Sequence, residues 1–335
     1  MLRLSLFFAC VVLLSGCGSP GSTPAVAVDG IEKKTVVNAA AANPPGPALG
    51  LKGKITLSGS STVAPICVDL GKRLEASNPA LRVDSQTGGS GRGIGRETAE
   101  LCGAEKAKVV LAARSKSELD EVAEAVRAKG GEALVHACDL TEPAAAVELV
   151  KAAVEAFGRV DVLVNNAGTN HIGSLVMTKE EDWRAVYELN VFAVFRLTQA
   201  AMKPMIRQKS GRIINVASVS AKVGAPYNTA YASSKGAILG FTRSLAKEVA
   251  MLGITANAVC PWFVDTKLVR YGMAKRGQMT GVSAEEFLEK VAQDSPQKRV
   301  IDASEVAGMI VYLMSPAARA VNGQSLNVCG GVAMD

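Results

Sequence analysis

The sequence predicts an α/β fold, a doubly wound parallel sheet, preceded by a leader, a tether and a short separate fragment. Three observations carry that expectation. From Gly93 onward, helical and β-branched apolar segments alternate, the pattern of parallel strands joined by crossover helices. Glycines gather where the first of these helices opens, and residue types that carry chemistry fall where strands end, the usual ligand-binding edge of such sheets. Of the 335 residues, 48% are hydrophobic and 20% charged, enough apolar surface to bury a core.

In chain order, MLRLSLFFACVVLLSGC opens with Arg3 and an apolar run from Leu4 to Leu14. That run is too short to span a bilayer and suits the core of an export signal. Residues 18–52 are rich in Gly, Pro, Ala and Ser without periodicity and read as a flexible tether. Lys54–Leu57 predicts a short strand, Gly59–Thr62 a polar turn, and Ala64–Ala76 an amphipathic helix with Ile66, Leu70 and Leu74 on one face. The α/β region then predicts helices at Arg96–Glu105, Ser117–Lys129, Glu142–Phe157, Glu180–Gln208 and Thr229–Ala250. Its strands are expected at Lys108–Ala112, Ala133–Ala137, Val160–Val164, Gly211–Val216, Thr255–Val259 and Ser325–Val328. The strand expected to enter the glycine loop is Arg82–Gln86, which offers only Val83 as an apolar residue. A central parallel strand is apolar on both faces, so an unpaired Asp84 there would cost on the order of several kcal/mol.

Composition also excludes. The net charge of +6 is spread singly among acids and aromatics are only 4%, so no nucleic-acid footprint is expected. Seven cysteines form no CxxC pair and only His136 and His171 accompany them, so no metal site is expected. Cys102, Cys138, Cys260 and Cys329 sit in apolar surroundings and read as small buried hydrophobes, not a disulfide framework.

Gly89, Gly93 and Gly95 open a predicted helix, as a loop approaching a pyrophosphate requires. One βα unit later Arg114 follows a strand with no acid at Ala112 or Ala113, which favours a 2′-phosphate and hence NADP over NAD. Tyr231 and Lys235 lie one turn apart on one helix face. A phenol titrates near ~10, and a neighbouring ammonium lowers that value by favouring the phenolate. Ser218 ends a strand thirteen residues before Tyr231, and Asn165-Asn166-Ala167-Gly168 ends another.

Taken in order, these motifs make residues 88–335 resemble the short-chain dehydrogenases/reductases, whose fold is Rossmann-like. The resemblance implies cofactor contacts at Gly89, Gly93, Ile94, Gly95, Arg114, Asp139, Leu140, Asn166, Ala167, Gly168, Pro261, Val264 and Thr266, and at Tyr231 and Lys235. It implies Tyr231 as general acid or base, Lys235 lowering its pKa, Ser218 on the substrate oxygen, and Asn190 holding a water that links Lys235 to solvent. The substrate is then a small-molecule ketone or secondary alcohol, covered by the segment Val264–Val300, which looks most like the 3-oxoacyl and hydroxyacyl branches. The resemblance also implies a homodimer or homotetramer. The sequence departs from the family at Gly88, where a Thr is usual, at Lys106, where a helix-ending Gly is usual, and at Trp262, where Pro-Gly is usual.

A second resemblance covers residues 1–90. SGSSTVAP and QTGGS are similar to the opening of periplasmic phosphate-binding lipoproteins of ABC transporters, which implies phosphate contacts at Ser60, Ser61, Thr62 and Ser90 and lipidation at Cys17. The expected organisation is a signal peptide with lipobox (1–17), a tether (18–52), a phosphate-binder-like fragment (53–87) and a reductase domain (88–335). The alternative readings are a lipid-anchored phosphate-binding fragment and a chimera whose reductase is inactive for want of its own first strand. Localisation is divided: the leader points to a membrane-anchored, periplasmic protein, the reductase motifs to the cytoplasm, where the cofactor pool lies.

Overall fold

The structure, a computed structural model, describes residues 7–8, 50–51, 54–59, 93–264 and 281–334. Cys17, Ser60, Ser61, Thr62, Gly89, Ser90 and Thr266, the helix expected at Ala64–Ala76 and the strand expected at Arg82–Gln86 lie outside the described residues. A parallel pairing of Phe7–Phe8 with Gly50–Leu51 stands apart from the main sheet.

Seven parallel strands form that sheet: β1 (Lys54–Gly59), β2 (Lys108–Ala113), β3 (Glu132–Ala137), β4 (Val162–Asn166), β5 (Gly211–Val216), β6 (Ile254–Pro261) and β7 (Ser325–Val328). Their spatial order is β3-β2-β1-β4-β5-β6-β7. The order reverses between β1 and β4, and the crevice at such a switch point is where open α/β sheets bind ligands.

The central strand corrects the reading of the sequence. KITLSG, assigned above to the phosphate-binder-like fragment, pairs with β2 from Lys54↔Lys108 to Leu57↔Leu111 and with β4 from Ile55↔Val162 to Gly59↔Asn166. The reductase sheet therefore has a first strand, and the α/β unit begins at residue 54. The physical reason is that the middle of a parallel sheet selects an apolar, β-branched strand. Ile55, Thr56 and Leu57 meet that requirement where Asp84, Ser85 and Gln86 do not.

The other strands follow their composition. Val109–Ala113 of β2 are fully buried, as is the whole of β6, ITANAVCP. The main helices are α1 (Ile94–Ala104), α2 (Lys116–Ala128), α3 (Ala145–Phe157), α4 (Glu180–Tyr187), α5 (Ala193–Gln208), a short α6 (Ser220–Val223), α7 (Thr229–Val249), α8 (Ala284–Asp294) and α9 (Ala303–Met314). The larger ones bury a stripe at helical spacing; in α2 it is Leu119, Val122, Ala123 and Val126. On one face of the sheet α1 packs between α2 and α9, and on the other α3 packs on α5 while α7 covers β6.

Besides the short α6, two longer helices, α8 and α9, have no counterpart among the elements expected from the sequence. Both open on capping boxes, Ser283 with Glu286 and Asp302 with Glu305. Glu305 is also gripped by both guanidinium nitrogens of Arg299 at 2.6 and 2.7 Å. The single helix expected over Glu180–Gln208 is divided by a π-helical turn at Glu188–Phe192.

Candidate active site

The site lies along the carboxyl ends of β4, β5 and β6. Asn165 and Asn166 end β4 inside the protein, and Asn165 Nδ2 donates to Asn215 Oδ1 of β5 at 2.8 Å and to Thr198 Oγ1 of α5 at 3.1 Å. Asn215 Nδ2 then donates to Thr242 Oγ1 of α7 at 2.8 Å. These neutral groups bond one another in the interior and tie both strands to the helices above them, so the strand ends are held rigidly. Asn215, Thr198 and Thr242 are absent from the residues singled out in the sequence, although an asparagine inside the apolar strand GRIINV is a visible signal.

The π-turn places Asn190. An extra residue in a helical turn redirects the side chains after it, and such turns recur at functional sites. Asn190 is fully buried; its Oδ1 accepts from Thr169 N at 2.8 Å, and its Nδ2 donates to Thr169 O at 3.0 Å and to Ser234 Oγ at 2.9 Å. One side chain thus clamps the loop after β4 to the helix that carries Tyr231 and Lys235. A Cβ on Gly168 would lie 3.3 Å from Lys235 Nζ and 3.4 Å from Asn190 Oδ1, so a side chain there would press on both groups.

Lys235 is 4% exposed and donates from Nζ to Val216 O at 2.8 Å. Burial disfavours its ammonium and pushes its pKa down to about 8. Tyr231 is half-buried, with Lys235 Nζ 5.8 Å from its ring centroid. Burial raises the phenol's pKa, a hydrogen bond with Ser218 opposes that rise, and Cys260 on β6 adds to it. Desolvation is the largest influence on the phenol in this structure, and Lys235 Nζ is held against the Val216 carbonyl. Ser218 follows β5, and its Oγ accepts from Ser220 Oγ at 2.8 Å. The structure therefore brings Asn190, Ser218, Tyr231 and Lys235 together at one sheet edge.

Several cofactor positions can be tested for fit. Gly93 caps α1 with φ 81°, a conformation that favours glycine, and places the positive end of the α1 dipole at the crevice, as binding of an anion requires. Among the described residues, Asn166 Nδ2 is buried without a hydrogen-bond partner at the end of β4, beside the switch-point crevice, where a cofactor acceptor would meet it. Arg114 is an exposed cation after β2 with Asp139 Oδ2 3.8 Å away. Asp139 turns its other oxygen to Thr141 N and Oγ1 at 3.0 and 2.8 Å, while Leu140 is buried beside it. Ile94, Gly95, Ala167, Pro261 and Val264 are buried at strand or helix ends, and Val264 bridges to Ile301 before α9. These residues fit a dinucleotide lying across the crevice with its 2′-phosphate near Arg114.

Trp262, at a position where the family has glycine, donates its backbone N–H to Val328 O at 3.1 Å, and its ring meets Phe263 edge-on at 4.9 Å. Phe263 in turn meets Phe287 of α8 at 5.6 Å. An aromatic ladder thus joins the end of β6 to the helix beyond residues 265–280.

Comparison with known proteins agrees with this geometry. A family profile described as Enoyl-(Acyl carrier protein) reductase matches residues 89–333. The 3-oxoacyl-(acyl-carrier-protein) reductase of Synechocystis is 39% identical over 248 residues, taking in 73% of this chain and 95% of that one. The 3-oxoacyl-(acyl-carrier-protein) reductase FabG of Escherichia coli is 35% identical, covering 73% of this chain and 95% of its own. A crystal structure of actinorhodin polyketide ketoreductase with NADPH, in a single-substitution variant, superposes with a TM-score of 0.71 at 38% identity, over 76% of this chain and 97% of that chain. Fold, site and sequence agree, and the chain is an enzyme of the short-chain dehydrogenase/reductase family.

Proposed function

We propose that the protein is an NADP(H)-dependent ketoreductase that interconverts a ketone and a secondary alcohol, with a 3-oxoacyl or 3-hydroxyacyl compound as substrate. The observation that carries this reading is the meeting of Ser218, Tyr231 and Lys235 at the ends of β5 and α7, with Asn190 locking the neighbouring loop. NADPH, when bound, supplies the hydride that reaches the carbonyl carbon. The chain's own residues manage the oxygen. Ser218 donates to it as negative charge develops, and Tyr231 delivers the proton that completes the alcohol. A phenol is protonated at neutral pH, the state a proton donor needs. Lys235 holds positive charge behind Tyr231 and beside the Gly168 backbone, where the nicotinamide ribose would be gripped. Arg114 favours the 2′-phosphate, and both the Synechocystis and E. coli relatives are named as 3-oxoacyl reductases. The test follows NADPH oxidation by the purified chain with a 3-oxoacyl thioester, with NADH in parallel. Turnover with NADPH and far less with NADH is expected; no oxidation of either rejects the reading.

We further infer a homodimer or homotetramer, supported by the exposed Phe192 and Phe195 beside the stacked Trp183 and Tyr187. Sedimentation of the purified chain tests this; a monomer rejects it. For the leader we infer export and lipidation at Cys17, and weak phosphate contact through Ser60, Ser61, Thr62 and Ser90, supported by sequence pattern alone. A membrane-bound, lipid-carrying product that becomes soluble in Cys17→Ala is the expected result, and a soluble chain that carries no lipid rejects the anchor.

A further inference from the structure

Ser218 is held from one side. Its Oγ accepts from Ser220 N at 3.2 Å and from Ser220 Oγ at 2.8 Å. Ser220 is 7% exposed at the start of α6. The turn between them is anchored to the sheet, since Val219 N donates to Pro261 O at 3.0 Å and Ala221 N donates to Ser218 O at 3.1 Å. A serine hydroxyl has two acceptor positions and one proton. With both acceptor positions filled by Ser220, the Ser218 proton is left for a partner other than Ser220, and Tyr231 is the phenol that pairs with Ser218.

We propose that Ser220 is a positioning residue for the reaction: its hydroxyl fixes Ser218 as a donor toward the oxygen that Ser218 and Tyr231 share. Without it Ser218 is free to rotate and accept from Tyr231 instead. Tyr231 would then spend on Ser218 the proton that the substrate needs. The two serines form a short donor chain, Ser220 to Ser218 to the substrate oxygen, in which each bond polarises the next. No proton leaves Ser220 in the cycle. The inference rests on the ketoreductase reading for its catalytic consequence, though not for the hydroxyl orientation itself.

The groups facing Tyr231 are Lys235 on its own helix, Ser218 after β5 and Cys260 on β6. Of these only Ser218 is altered by a change at Ser220, which makes the phenol a reporter. In the cofactor-free protein, ultraviolet difference absorbance against Tyr231→Phe isolates the Tyr231 titration from the other tyrosines. Ser220→Ala is expected to raise the pH at which Tyr231 ionises, because a Ser218 proton aimed at the phenolate favours it. Ser220→Thr, which keeps the hydroxyl, is expected to restore it. In turnover, Ser220→Ala should lower kcat on the order of ten-fold, below the loss from deleting a whole oxyanion donor, with KM and NADPH affinity unchanged. Ser220→Thr should recover most of that. Ser220→Gly removes the same hydroxyl at a helix start that tolerates glycine, and serves if the alanine variant folds poorly. An unmoved phenol titration, an unchanged kcat, or a loss that threonine does not rescue overturns the proposal. A wild-type protein that reduces no ketone would sink the ketoreductase reading, while the titration would still decide whether Ser220 orients Ser218.

Discussion

The two halves of the sheet are built on different terms. In the half formed by β4, β5 and β6, side-chain hydrogen bonds through Asn165 and Asn215 tie the strand ends together and to α7, and Asn190 clamps the loop after β4. In the half around β1, the strand ends at Gly59 and the helix it feeds, α1, starts at Ile94. Strand and helix nonetheless take their places in the sheet and on its face. A parallel sheet thus recruits a central strand by apolar character more than by nearness in sequence. Loop closure explains why the distance is tolerated. Each doubling of the sequence separation between two paired elements costs only about 0.6 kcal/mol in closure entropy. Burying a charged strand in the sheet centre costs more.

The halves also differ in their buried charges, with opposite signs. α1 buries Glu97, whose pKa is raised to about 7, mainly by desolvation and secondarily by Glu100. α7 buries Lys235, whose pKa falls to about 8. Each is a local cost to stability, and each is relieved at a different pH.

Four substitutions set the halves against each other. The greatest loss falls in the catalytic half: Tyr231→Phe should lower ketone reduction on the order of 10³-fold, within the range for losing a general acid, while NADPH quenching of intrinsic fluorescence persists. Next, Thr56→Pro in β1 removes a ladder donor from the central strand and should cost roughly 3 kcal/mol or more in urea unfolding. A neutral result there would mean that some other segment fills the sheet centre.

Lys235→Met should abolish turnover yet stabilise the fold at neutral pH by up to roughly 3 kcal/mol. The native lysine binds fewer protons than the unfolded one between about 8 and 10.5, so wild-type stability should rise with pH across that window. The advantage of the variant is therefore full below pH 8 and gone above 10.5; a constant difference contradicts the assignment.

Glu97→Gln is the mirror case, with a shift of comparable size in the opposite direction. The native carboxyl holds its proton up to about 7 whereas the unfolded one releases it near 4.5, so wild-type stability falls as pH rises between those values. The variant should gain most above pH 7 and nothing below 4.5, by thermal unfolding at each pH.

Much of this is legible in the residues because it depends on patterns local to one element. Gly211–Val216 and Ser325–Val328 are expected with their observed bounds, since apolar runs bounded by glycine and polar residues leave little choice. Tyr231, Lys235, Ser218 and Asn190 follow from motif order, and the structure gathers them at one edge. The first strand is misplaced in the sequence because the glycine loop invites a search in the residues just before it, and only tertiary pairing reveals that KITLSG is the partner of β2 and β4. The clamp by Asn190 on Thr169 and Ser234 is hidden for a related reason: the three residues are far apart in sequence, and a π-turn sets the angle between them. The direction of the Tyr231 shift is equally out of reach, because spacing shows which charges are near but not how much water is excluded.

Lys54–Gly59 is the inner strand on which the cofactor edge of this reductase is built, and amide hydrogen exchange read by residue decides whether that is so. Amides of residues 55–58 are predicted to exchange as slowly as those of Val109–Leu111 in β2 and Val162–Val164 in β4, opening only with global unfolding. Fast exchange in residues 55–58, with slow exchange in residues 82–86 instead, would contradict it.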